Sequence, residues 1–109
     1  MSTQKGIITE SYRQRILRKA IDTYGIEPQV DQCIEECSEL IKALLKKRRA
    51  DHGTANLDYE TAVGNIVEEI ADVKIMLGQM ELLYGPSSEI EQQKLARMKQ
   101  RIDEYGRKV

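Results

Sequence analysis

With 109 residues, 40% hydrophobic and 32% charged, the chain is sized for one domain, too apolar for a disordered segment and too charged for a membrane protein. Its 17 basic and 18 acidic side chains leave a net charge of −1, without the basic excess of a nucleic-acid binder, and no apolar run approaches the ~20 residues that span a bilayer. Neither nucleic acid nor membrane is an expected partner. The start, Met1 to Gly6, carries no apolar segment after Lys5, so a secretory leader is not expected and a cytoplasmic location is.

Four helical segments are predicted in chain order. The first, residues 8–24, carries Ile8, Tyr12, Ile16, Leu17, Ala20, Ile21 and Tyr24 at helical spacing. Gly25 suits a helix end, and Pro28 the first turn of the next segment, residues 28–49. There the stripe runs through Val30, Cys33 or Ile34, Cys37, Leu40 or Ile41, and Leu44 or Leu45. A polar stretch, Ala50 to Asp58, has no apolar period and reads as the one real loop. Residues 60–84 resume the pattern with Ile66, Ile70, Val73, Leu77, Met80 and Leu83. Gly85-Pro86 stops that helix, and Ser87-Ser88 supplies a cap for the last, residues 87–105, with Ile90, Leu95, Met98, Ile102 and Tyr105. No period-2 run bounded by turn residues predicts a strand. The expected fold is all-α and four-helix bundle-like, one domain over 1–109.

The two cysteines, Cys33 and Cys37, fall four apart on one helix and read as small buried thiols. With His52 the only histidine, a zinc site lacks ligands.

The informative residues are acidic. Glu35-Glu36-Cys37-Ser38-Glu39 and Glu68-Glu69-Ile70-Ala71-Asp72 each place two carboxylates three apart, Glu36 with Glu39 and Glu69 with Asp72, on one helix face. A solvated face pairs such acids with lysine or arginine one turn on. Here Leu40 follows Glu36, Lys42 and Ala43 follow Glu39, Val73 follows Glu69, and Ile75 and Met76 follow Asp72. Carboxylates that interrupt an apolar stripe and meet across two helices repel strongly. A hard divalent cation relieves that repulsion, and Mg²⁺ suits carboxylates that leave room for a phosphorylated ligand. An all-carboxylate set argues against zinc, copper and a histidine-containing di-iron centre.

The stretches IEECSELIKALLK (Ile34 to Lys46) and NIVEEIADVKIML (Asn65 to Leu77) resemble the MazG-like nucleotide pyrophosphohydrolases, of the all-α nucleoside triphosphate pyrophosphatase group, in their short phage and prophage single-domain form. The family pattern EExxE, spacer, ExxD is matched by Glu35, Glu36 and Glu39, then Glu69 and Asp72. The likeness covers about the central half of the chain, with a slightly long spacer that falls in the loop.

The resemblance implies a Mg²⁺-dependent hydrolase, with Mn²⁺ able to substitute, that cleaves a (deoxy)nucleoside triphosphate between its α and β phosphates to the monophosphate and pyrophosphate. Glu36, Glu39, Glu69 and Asp72 would hold the metal, and Glu35 would add a ligand or orient water. It further implies a homodimer or homotetramer. Lys42, Lys46 and Lys47 follow the first acidic motif, close enough for a triphosphate, although lysines near a helix end are commonly solvated. Lys94, Arg97 and Arg101 form one basic face of the last helix and are candidate phosphate contacts; a solvated face explains them equally well. Asn65, one turn before Glu69, is a candidate contact to base or sugar. Two alternatives stand beside this reading. Phosphoribosyl-ATP pyrophosphatase shares the acidic pairs, but its lysine-glycine-glutamate-glutamate lead-in is replaced here by Ile34-Glu35. A non-catalytic helical interaction module would use the acidic face as a binding surface.

Overall fold

The computed structural model describes residues 10–108, so the expectation for Ile8 lies outside the described residues. Four α-helices follow one another: α1 Tyr12–Tyr24, α2 Ile26–Asp51, α3 Tyr59–Tyr84 and α4 Ser88–Lys108. No strand occurs among the described residues, and no helix there is long and apolar enough to cross a membrane. The fold class is all-α.

Local chemistry sets each boundary. Ser11 caps α1 by accepting from the Gln14 N–H, and the Gln14 side chain accepts in return from the Ser11 N–H, closing a capping box. Gly25, at φ 96°, ends α1 and begins α2 in one residue. Only glycine takes that backbone without strain, so α2 starts at Ile26 and Pro28 sits inside its first turn, where no N–H is needed. Arg48 and Arg49 lie in the last turn of α2, favourable to its dipole. The loop is 52–58, two residues shorter than its composition suggests. Asp58 caps α3 by accepting from the Thr61 N–H at 3.1 Å.

Ser87 departs from its expected role. Its hydroxyl donates to Glu81 Oε2 at 2.5 Å and its N–H to the same oxygen at 3.0 Å. It therefore ties the Gly85-Pro86 break back to α3 instead of capping α4 with its side chain.

Helices α2 and α3 form the main pair. They run antiparallel, since Lys47 lies over the Tyr59 ring while Glu36 meets Asp72 further along. Helix α1 packs across both. The buried apolar set, Leu17, Ile21, Cys33, Ala62, Val73 and Met76, is drawn from all three of these helices.

Within one chain the expected four-helix bundle has three members. Helix α4 packs along none of the others, and Leu95, Met98, Ile102 and Tyr105, on its apolar face, are all exposed. The radius of gyration is 18.9 Å, against about 13 Å for a compact domain of this length. The connection explains it. Gly85, at a glycine-favoured φ of 123°, and Pro86 aim α4 away from α3, so an amphipathic helix leaves the chain with its apolar stripe uncovered.

Candidate functional site

The antiparallel pairing of α2 and α3 brings Glu36, Glu69 and Asp72 together, with one carboxylate oxygen of each within 4.8 Å of the others. Glu69 and Asp72 share a face because they stand three apart on α3, and Glu36 reaches them across the helix pair. Each is half-buried. The Oε1 of Glu69 is fully buried and has no hydrogen-bond partner. A shielded carboxylate oxygen without a donor carries a desolvation cost that a cation or a proton relieves.

Electrostatics agree. The Glu69 carboxyl is pushed above its ordinary value, first by burial, then by the charges of Asp72, Glu36 and Glu39. Glu36 is also fixed from below, where Gln32 Nε2 donates to its Oε2 at 2.9 Å.

Glu39 stands beside this triad without joining it. Its Oε1 lies 3.4 Å from the Lys42 ammonium, so its carboxylate is drawn along α2. Glu35 is exposed; its backbone carbonyl accepts from the Ser38 hydroxyl. Of the five expected acids, three meet, one borders them and one faces solvent.

A groove of about 390 Å³ opens next to the triad, walled by Glu39, Lys42, Lys46 and Arg49 of α2 and by Asn65 and Glu69 of α3, with Ala43 and Leu45 also lining it. Glu69 belongs to both triad and groove. Lys42, Lys46 and Asn65, named above as candidate substrate contacts, line this groove. Arg49 is an addition: it continues the Lys42, Lys46 row by one more turn, a spacing legible within the run Lys46 to Arg49. Gln32 is another addition, one turn before Glu36. Lys47 turns instead to Asp51 and Tyr59. Lys94, Arg97 and Arg101 are not brought to the groove within one chain, because α4 stands apart. All five tyrosines lie outside the groove lining.

Cys33 is buried and Cys37 half-buried, both free. Burial and the neighbouring Cys37 raise the Cys33 thiol, which keeps it protonated and inert.

Comparison with protein-family models, with curated proteins and with solved structures gives no match for this chain.

Proposed function

We propose that this chain is a Mg²⁺-dependent nucleotide pyrophosphohydrolase, cleaving a nucleoside triphosphate between the α and β phosphates to the monophosphate and pyrophosphate. One observation carries the reading: Glu69 joins a carboxylate triad to a groove whose α2 wall carries Lys42, Lys46 and Arg49. Carboxylates gather a hard cation and the adjoining cations gather phosphate, and a triphosphate is a ligand that needs both at once. The resemblance to the MazG-like pattern points the same way.

The donor set fits a hard cation, since it is all oxygen and includes a buried oxygen with no other partner. Glu36, Glu69 and Asp72 would hold it, with Glu39 completing the set once released from Lys42. A bound divalent cation would offset phosphate charge and make a water acidic enough to act at neutral pH. Lys42, Lys46 and Arg49 hold the leaving pyrophosphate and stabilise the charge that builds on it as the bridging oxygen departs. Asn65, with one amide donor pair and one carbonyl acceptor, serves the sugar or base side.

The chain acts as a homodimer or larger assembly in this reading. Support comes from uncovered apolar side chains on all four helices, among them Ile16, Ile34, Ile41, Val67, Leu95 and Ile102, which a second copy would cover.

The test is pyrophosphate release from a panel of ribo- and deoxynucleoside triphosphates with Mg²⁺, with Mn²⁺ and with excess chelator. Monophosphate and pyrophosphate should appear with either metal, and chelation should abolish them. Turnover that persists in chelator, or orthophosphate as the only first product, would overturn the reading.

A further inference from the structure

We infer that Gln32 is a positioning residue that holds Glu36 in the orientation needed to bind the cation, an inference that rests on reading the triad as a cation site. Gln32 and Glu36 stand four apart on α2, so their side chains lie one above the other on the same face. The bond is part-buried, with Gln32 Nε2 donating to Glu36 Oε2 at 2.9 Å. The terminal torsion of a glutamate is broad and roughly two-fold, so a free carboxylate at this place would sweep through many orientations. One donor on Oε2 fixes the carboxylate plane and leaves lone pairs of Glu36 toward Glu69 and Asp72.

The chemistry of the donor matters as much as its place. Glu36 and Glu39, two of the candidate acids of α2, make a natural comparison. Glu39 has an ammonium partner, Lys42 at 3.4 Å, and lies outside the triad. Glu36 has an amide partner and lies within it. An ammonium neutralises the carboxylate and repels a second cation. An amide satisfies one lone pair while leaving the full negative charge for the metal. Partners that orient a metal-binding carboxylate typically account for 10- to 100-fold in affinity.

The experiment is a Mn²⁺ titration of the full chain, with free Mn²⁺ counted by electron paramagnetic resonance, alongside thermal melting in metal-free buffer. Gln32→Met keeps the side chain's length and removes the donor. It should raise the Mn²⁺ Kd by about 10-fold or more and leave the metal-free melting temperature unchanged. Gln32→Lys keeps a donor but adds charge, and it should weaken Mn²⁺ binding as well. Wild-type affinity in Gln32→Met overturns the inference, as does a loss of affinity matched by a large drop in metal-free melting temperature. Wild-type protein that binds no Mn²⁺ overturns it together with the triad's reading as a cation site, so the two failures are distinguishable.

Discussion

Gly78 of α3 lies directly under Leu17 of α1: a methyl group built on its Cα would sit 2.6 Å from Leu17 Cδ1 and 3.0 Å from both terminal nitrogens of Arg13. Leu17 is only 4% exposed, and Arg13 is tied to the α3 backbone by its bond to the Lys74 carbonyl at 3.0 Å. The buried Leu17 side chain does not yield freely. Helix α1 therefore reaches α3 because this one position has no Cβ.

Gly78→Ala gains about 1 kcal/mol of helix propensity and incurs about 1–3 kcal/mol of overpacking. The expected result is a net loss of up to about 2 kcal/mol in urea unfolding. Gly64, also mid-α3, has nothing within 4 Å of its built Cβ, so Gly64→Ala should stabilise by about 0.5–1 kcal/mol. If both variants gain stability, α1 does not pack on Gly78 in solution.

Glu69 makes the metal-free protein sensitive to pH in a defined direction. Its folded-state carboxyl lies above the ordinary value, so the fold binds a proton that the unfolded chain has already released. Its contribution is complete below the unfolded pKa of about 4.3 and is lost as pH rises through the raised folded value. In chelator, Glu69→Gln should therefore melt above wild type at neutral pH, with the gap closing as pH falls toward 4. Added Mg²⁺ should raise the wild type and leave the variant unmoved. Parallel melting curves across this range would remove the electrostatic crowding argued for the triad.

Asp58 and Glu81 work with the opposite sign. Thr61 holds the Asp58 carboxyl below its ordinary value, and Ser87 does the same for Glu81. Their stabilisation is present above the unfolded carboxylate pKa and lost as pH falls through the lowered folded values. Asp58→Ala should lower the melting temperature at pH 7 by roughly 3–6 °C, a typical N-cap loss, and by less at pH 3. An unchanged melting temperature at pH 7 would mean that the Asp58 cap adds nothing.

Within the proposed activity, Glu36→Gln, Glu69→Gln and Asp72→Asn should each reduce turnover by a factor on the order of 10² or more while the helical content persists. Glu35→Gln should fall far less, because Glu35 faces solvent outside the triad. Equal losses at Glu35 and Glu36 would show that the triad is drawn around the wrong residue.

Arg49→Met and Lys46→Met act on phosphate binding. Each should raise KM several-fold with a smaller change in kcat, and the sensitivity of KM to added salt should shrink. A pure kcat effect would place the leaving phosphates elsewhere.

Self-association should be visible by sedimentation at micromolar concentration, with Ile102→Glu weakening it through the apolar face of α4. A wild-type monomer that retains full activity would defeat the proposed assembly.

The amino-acid sequence by itself determined the helices and the chemistry they carry. Apolar residues at helical spacing, Gly25 and Gly85 at the breaks, and acids that border or interrupt the stripes at Glu36, Glu39, Glu69 and Asp72 are all local signals, and local signals act within a few residues. Tertiary structure decided which of those residues meet. Glu36 and Glu39 share a helix face, yet in the folded chain Glu36 meets Glu69 and Asp72 while Glu39 pairs with Lys42. Arg49 enters the groove because the helix pair stays together to the end of α2. Lys94, Arg97 and Arg101 share a helix face in the sequence, but the Gly85-Pro86 connection carries α4 away from the other helices. Periodicity fixes which side of a helix is apolar; where that side is pointed depends on the geometry of a turn and the packing of residues far apart in the chain.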